Sequence, residues 1–208
     1  MKGLLLKEFY MAKKYCKSYL LVVVALGLTA FTGDGDIFGF LFPCLLAGMI
    51  PTTLLAYDER SKWDEYCGTL PYTRTQIVSA KYLIGLFFSL GVIALLSIAQ
   101  IVGMFIKNDF DWGAFLMTVL LMFLVACIIA PISLPLMFKF GVEKGRVAYY
   151  VIIGAISAGS AAMWAFFKDK GMVDISFNGN MLVVCAVAVV VYLFSWYLSV
   201  VFYKKREF

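Results

Sequence analysis

The sequence of 208 residues contains no histidine, and only 15% of its residues are charged. Without histidine it lacks the commonest general base and metal ligand at neutral pH. Its five cysteines lie far apart along the chain, which gives neither a disulfide framework nor metal-ligand spacing. The phosphate-binding pattern G-x-x-x-x-G-K-[ST] does not occur. We therefore expect no catalytic residues, no metal site and no cofactor site in this chain.

The composition is that of an integral membrane protein. Apolar residues make up 63% of the chain and the mean hydropathy is +0.91, whereas soluble domains have about 45–50% apolar and about 25% charged residues. The length allows about six spans of roughly 20 residues with short connections, and leaves no room for a separate soluble domain. We predict an all-α fold that forms a single transmembrane domain over residues 1–208.

The apolar runs place the spans and the loops between them. Prolines at 43 and 51 should kink the second span, and the fourth span carries prolines at 131 and 135. Small residues from Gly154 to Ala162 indicate close helix packing, or a dimer seam. We expect a tight turn at 33–36, a compact basic loop at 138–146 and a longer loop at 168–180. The predicted spans cover about 18–32, 37–56, 82–106, 114–138, 147–167 and 181–203.

The first 17 residues are basic and have a helical period. This pattern is typical of an interfacial helix that lies along an anionic leaflet, with its lysines near the headgroups. The helix serves as a membrane anchor, or it also contacts a partner. The lysines of the polar arc are Lys2, Lys7, Lys13, Lys14 and Lys17.

The distribution of basic residues predicts the orientation. With six spans, fifteen of the 18 lysines and arginines fall on one side, in the two termini, the central loop and the loop at 138–146. By the positive-inside rule, that side is cytoplasmic. We therefore expect both termini and the central loop in the cytoplasm.

The central loop, from Tyr57 to Lys81, is the longest polar interruption of the chain. Asp58 suits the N-cap of a short helix, which Gly68 and Pro71 would end. Thr73 and Gln76 stand three apart as a capping box, from which a second helix runs into the third span.

The short helix is predicted to have two faces. Arg60, Trp63, Tyr66 and Cys67 share one face on a helical wheel. A helix far below roughly 12–15 residues is not stable alone in water, so something must hold it. It is either a solvated loop whose aromatic residues rest in the headgroups, or a docking helix for a soluble partner.

The predicted spans contain no Asp, Glu, Lys or Arg. Charged residues inside the bilayer usually mark ion pathways and proton relays. Their lack disfavours an ion-coupled carrier and a channel with a charged filter. Because the sequence shows no active site either, the energy for any transport would have to come from a separate protein that binds this chain.

The stretch Y-D-E-R-S-K-W-D-E-Y-C-G-T-L-P-Y-T-R-T-Q-I-V-S-A-K-Y, residues 57–82, and the opening M-K-G-L-L-L-K-E-F-Y resemble small six-span permeases of the ABC type-2 transporter family. That family includes the membrane subunits of the exporter of phenol-soluble modulins, which are amphipathic peptide toxins of staphylococci. The resemblance implies a bacterial plasma-membrane permease that pairs with a like or unlike second permease. It also implies a separate ATPase subunit, which binds the ATP and the magnesium.

The resemblance further implies a coupling helix between the second and third spans, within a coupling loop at 58–78. Trp63 and Tyr66 would be aromatic anchors in a cleft of the ATPase, and the charged neighbours would fix the register. The docking residues implied in this way are Asp58, Glu59, Arg60, Lys62, Trp63, Asp64, Glu65 and Tyr66.

The sequence and the resemblance lead to three hypotheses about function. The first is the permease subunit of an ATP-driven exporter of amphipathic or hydrophobic peptides of toxin or antimicrobial type. The alternative is a non-transporting anchor or immunity protein that recruits a soluble partner, and the third is a small ion-coupled carrier. In each case we expect the lipid bilayer as surroundings and no nucleic-acid partner.

Overall fold

The structure is a computed structural model that describes the backbone of most of the chain. Side chains are described in the same ranges, except at 20, 27–32, 37–38, 64–65, 107, 156–168 and 181–183. The predicted turn at 33–36, the loop at 169–180 and most of the small-residue stretch at 154–162 therefore lie outside the described side chains. The described backbone covers 2–15, 17–32, 37–67, 71–107, 111–168 and 181–205.

The described residues form helices and short connections, without a strand, as predicted. The N-terminal helix predicted over residues 1–17 is present as α1. The helices are α1 (Lys2–Tyr15), α2 (Lys17–Thr32), α3 (Ile37–Gly48), α4 (Ile50–Arg60), α5 (Trp63–Cys67), α6 (Arg74–Lys107), α7 (Trp112–Phe140), α8 (Val142–Lys168) and α9 (Met181–Lys205).

Four described stretches are long and apolar enough to cross a membrane. A further apolar helix, Lys17–Leu26, is shorter. The chain is thus a membrane protein, while the count of six spans and the orientation stay predictions. The four stretches are Gly39–Arg60, Arg74–Ile106, Trp112–Phe140 and Val184–Lys205.

The second predicted span is interrupted at Met49, between α3 and α4. Pro51 has no N–H to donate to the preceding turn, and it lies in the first turn of α4, where a helix tolerates proline. The Met49 carbonyl accepts from the Thr52 hydroxyl at 2.7 Å, and from the backbone N–H and the hydroxyl of Thr53, each at 3.1 Å. The sequence predicts a kink at both prolines; the helix breaks two residues before Pro51, whereas Pro43 lies within α3.

The start of α6 is the predicted capping box. The Thr73 N–H donates to the Gln76 side-chain oxygen at 3.2 Å, and the Gln76 N–H donates to the Thr73 hydroxyl at 3.3 Å. These reciprocal bonds satisfy amides that the first turn of a helix leaves unpaired. From there α6 runs unbroken to Lys107, as predicted.

The basic loop predicted at 138–146 is wrong. Residues 138–140 end α7, residues 142–146 begin α8, and only Gly141 separates the two helices. Gly141 has a φ of 83°, a left-handed conformation that suits glycine, and its N–H donates to the Met137 carbonyl at 2.9 Å. The turn is therefore a helix C-cap rather than a loop.

Helix α7 lies at the centre of the bundle, in contact with α3, α4, α6, α8 and α9. One buried apolar cluster joins α2, α3, α6 and α7. A second cluster joins α1 and α4–α9, and its members include Leu4, Cys67, Val142 and Tyr203. This second cluster gathers seven helices at one place.

The second cluster lies beside one end of the bundle, which we call the basic end. The basic end consists of α5, the C-terminal turns of α4, α7 and α9, and the N-terminal turns of α6 and α8. Arg74 of α6 donates to the carbonyls of Tyr203 and Lys204 in α9 at 3.1 and 3.0 Å. Exposed cations at this end include Arg60, Lys62, Lys139, Lys144, Arg146, Lys204 and Lys205.

At Gly145, α8 packs closely against α7. A Cβ at this position would lie 2.7 Å from the Met137 Cα and 3.0 Å from the Met137 nitrogen. Backbone atoms cannot move aside as the end of a side chain can, so the two helices would have to separate.

We predict that Gly145→Ala lowers the stability of the purified protein by about 1–3 kcal/mol, the usual cost of overpacking. Thermal unfolding in detergent measures the loss. Gly91→Ala is the matched control, because Gly91 is an exposed helical glycine whose added Cβ would meet nothing within 4 Å. Equal stability of the two variants would contradict the close approach.

Candidate functional site at the basic end

Four charged side chains form a closed network where α1, α4 and α6 meet. Lys7 of α1 pairs with Glu8 at 3.1 Å and with Asp58 of α4 at 2.5 Å. Lys81 of α6 pairs with Glu8 at 2.7 Å and also with Asp58. Each carboxylate thus bridges both ammonium groups, which we call the ion network.

Three members of the ion network are almost inaccessible to solvent. Glu8 and Asp58 are each 2% exposed and Lys81 is 1% exposed, whereas the Lys7 side chain is 22% exposed. Two positive and two negative charges balance within the network. The removal of a buried member would leave an uncompensated charge in a low-dielectric site, which is strongly destabilising. The network therefore fixes α1 to the ends of α4 and α6.

No sequence signal predicts this network. On a helical wheel Lys7 belongs to the polar arc of α1, but in the structure Lys7 turns towards the bundle, and Leu4, Glu8 and Ala12 form the buried stripe. Asp58 and Lys81 lie just outside the predicted spans 37–56 and 82–106, so the prediction of spans without ionisable groups stays a prediction. Both residues are buried within the protein.

The short helix predicted from Asp58 begins later. Helix α4 continues through Asp58 to Arg60, so Asp58 does not cap a following helix. Lys62 has a left-handed φ of 53°, and its N–H donates to the Glu59 carbonyl at 3.2 Å. This conformation ends α4 and turns the chain into α5.

Helix α5 has one side on the core and one side exposed. Trp63 is half-buried against the second apolar cluster and Cys67 is buried, whereas Tyr66 is 60% exposed. The two buried positions are four apart and lie on one helical face. The predicted common face of Arg60, Trp63, Tyr66 and Cys67 is wrong for Arg60, which belongs to α4, and the remaining three residues differ in burial.

Trp63 connects α5 to the ion network. The Lys7 ammonium lies 4.1 Å from the centroid of the Trp63 ring, which is the geometry of a cation–π contact. The Tyr66 ring lies 5.6 Å from the same ring. The exposed tyrosine, the tryptophan and the buried charges thus form one continuous set of contacts.

Glu59 makes a second link, from α4 to α8. Its carboxylate accepts from the Val142 N–H at 2.7 Å, at the first residue of α8. A carboxylate at a helix N-terminus satisfies an unpaired amide and suits the positive end of the helix dipole. No sequence signal points to this pair, because its members lie 83 positions apart.

The predicted docking residues therefore differ in their exposure to solvent. Asp58 is buried in the ion network, Trp63 is half-buried, and the side chains of Asp64 and Glu65 lie outside the described residues. Glu59, Arg60, Lys62 and Tyr66 are exposed. In the described part of the chain, no group of three Cys, Asp or Glu residues could hold a metal ion.

We predict that Lys81→Met destabilises the protein by about 3–5 kcal/mol, because it leaves the two buried carboxylates of Glu8 and Asp58 with only the Lys7 ammonium to balance them. Unfolding in detergent measures the loss. The triple variant Glu8→Gln, Asp58→Asn and Lys81→Met should recover part of it, since no lone carboxylate remains.

Lys13→Met is the control for the loss of one lysine, because Lys13 is exposed on α1. If Lys81→Met were no less stable than this control, the ion network would not hold the helices together.

The comparisons with known proteins identify the family. A family model described as ABC-2 family transporter protein matches residues 3–204. The comparisons with curated proteins and with solved structures found no match. The matched range contains three of the four candidate spans, all but the last residue of the fourth, α5 and the ion network. The chain belongs to the ABC-2 transporter family of membrane proteins.

Proposed function

We propose that the chain is the permease subunit of an ATP-driven exporter, powered by a separate ATPase subunit that binds the ATP and the magnesium. Membrane proteins of the ABC-2 family generally work with an ABC ATPase. The positive-inside rule puts the basic end in the cytoplasm, where such a subunit would reach it. The membrane would then be a bacterial plasma membrane, with both termini inside the cell.

The observation that carries this proposal is the arrangement of α5. A helix of five residues presents Tyr66 to the surroundings while its other face is fixed to the core. Exposed Lys62 precedes α5 directly in the sequence and provides charge for partner selection. An exposed aromatic residue on a rigid support is typical of an anchor in a protein interface.

The contacts of α5 also support transmission of movement. The Trp63 ring contacts Lys7, and the ion network joins Lys7 to α4 and α6, so α5 cannot shift without these helices. Glu59 extends the connection to α8. In this proposal the ATPase contacts Tyr66, while Trp63 and Asp58 transmit the displacement from inside the protein.

We predict that Tyr66→Ala reduces co-purification with the cognate ATPase and lowers the coupled ATPase activity at least about tenfold, the loss expected for a hot spot of 1.4 kcal/mol or more. Tyr197→Ala is the matched control, because Tyr197 is 59% exposed on α9. The thermal stability of both variants should equal that of the unchanged protein. Undiminished coupling in Tyr66→Ala would refute docking through α5.

The cargo in this proposal is an amphipathic or hydrophobic peptide of toxin or antimicrobial type. Among the described residues, the buried charged residues are Glu8, Asp58 and Lys81, all in the ion network. Elsewhere in the bundle the described buried polar groups are mostly hydroxyls, such as those of Ser89, Thr118 and Ser195, together with the side-chain oxygen of Gln100. An apolar wall of this kind suits a membrane-partitioning cargo better than a strongly charged solute.

The second permease of the proposed exporter is a copy of this chain or an unlike partner. The resemblance to the permeases of the phenol-soluble modulin exporter supports both the pairing and the peptide cargo. The alternative, an anchor or immunity protein, would use the same exposed α5 face to recruit a partner without transport. An ion-coupled carrier would move cargo independently of ATP.

Inverted membrane vesicles that contain the chain and its ATPase separate these functions. We predict ATP-dependent accumulation of a fluorescent amphipathic peptide, lost in Tyr66→Ala and unaffected by a protonophore. ATP-independent uptake abolished by the protonophore would favour the carrier. A complex of the chain with its ATPase that gives no accumulation of the peptide would favour the anchor or immunity protein.

A further inference from the structure

A groove of about 690 Å³ opens at the basic end, between the last turns of α4 and the junction of α7 with α8. Its walls include Tyr57 and Arg60 of α4, Phe140 of α7, and Lys144 and Arg146 of α8. We call it the α4–α8 groove. It lies beside the Glu59–Val142 link, and Tyr66 is not among its lining residues.

A smaller cavity of about 160 Å³ continues from the groove into the bundle. Thr53 and Arg146 line both spaces, so the two adjoin. The inner cavity has mixed walls, because besides Met49, Ile129 and Met137 it is lined by Ser133, Tyr149 and Tyr150. A charged outer compartment thus leads to a small inner compartment whose walls are partly apolar.

The charges of the groove favour an anion. Arg60, Lys144 and Arg146 are exposed, and their cationic groups have no ion pair among the contacts of the described residues. Glu143 also lines the groove, and the Glu59 carboxylate is engaged by the Val142 N–H. Three cations therefore face two acids, one of which is already hydrogen-bonded.

The position of the groove favours a phosphate carried by a lipid. It lies at the ends of two candidate spans, where phospholipid headgroups and aromatic side chains meet. Two arginines and one lysine suit a phosphate, which arginine binds through two parallel hydrogen bonds. A helical peptide does not fit the inner cavity, because a single turn of helix is already roughly 10 Å wide and 5.4 Å long. A single acyl chain is narrower.

We propose that the α4–α8 groove binds one anionic phospholipid, with its phosphate at Arg60, Lys144 and Arg146 and the start of an acyl chain in the inner cavity beyond Thr53. The site is separate from α5 and does not rest on the transport proposal, because lipid binding requires neither ATP nor a partner. A bound lipid would hold α4 against α8 at the point that Glu59 already bridges.

Native mass spectrometry of the purified chain with added phosphatidylglycerol tests the site. The unchanged protein should retain one lipid more tightly than it retains phosphatidylcholine. Lys144→Gln combined with Arg146→Gln should weaken this binding at least about tenfold, since two charge-assisted contacts are lost. Lys204→Gln combined with Lys205→Gln is the charge-matched control, on exposed lysines of α9 outside the groove.

Thr53→Phe tests the inner cavity without a change of charge. It should also weaken phosphatidylglycerol binding, because its ring would occupy the passage that Thr53 lines in both spaces. Equal loss in the α9 control would indicate general surface electrostatics and overturn the proposal, as would undiminished binding in either groove variant. The proposal would also be overturned if inorganic phosphate or an amphipathic peptide competed for the site as well as phosphatidylglycerol does.

Discussion

The buried pairing of Lys7, Glu8, Asp58 and Lys81 is the constraint on which the basic end depends. Burial of a single charge is costly, so each of these residues requires the others, and the requirement fixes three helices at one point. Hydrophobic contacts alone would not do this as specifically, because apolar surfaces can slide past one another. The charges therefore determine the register of α1 against the bundle, and α1 is held as part of the fold.

The bundle is held differently away from this end. The Tyr82 hydroxyl bonds to the Ser195 and Ser199 hydroxyls at 2.8 and 2.7 Å, and the Ser195 hydroxyl donates to the Pro131 carbonyl at 2.7 Å. Uncharged hydrogen bonds of this kind join α6, α7 and α9 at a much lower desolvation cost than ion pairs. Charge pairing among α1, α4 and α6 and hydroxyl pairing among α6, α7 and α9 are thus two solutions to the same requirement for specific packing.

The sequence allowed prediction of the features that depend on neighbouring residues. Thr73 and Gln76 lie three apart and form the capping box, and the helix breaks two residues before Pro51, because both effects act within one turn. The ion network could not be predicted in this way. Glu8 and Lys81 are 73 positions apart, and a helical wheel of α1 cannot show that Lys7 turns inward. The same holds for Glu59, whose partner belongs to another helix.

The position of Tyr66 follows from the same geometry. The wheel grouped it with Trp63, but a helix of five residues can direct only about one face to the core, and Trp63 and Cys67 occupy that face. Burial of Trp63 against Lys7 then leaves Tyr66 exposed on a support that cannot rotate freely. In the proposed function, a force on Tyr66 would reach Lys7 through one aromatic ring, and from Lys7 it would reach α4 and α6 through ion pairs. The charges that fix the fold therefore also lie between the exposed tyrosine and the helices that the proposed movement has to reach.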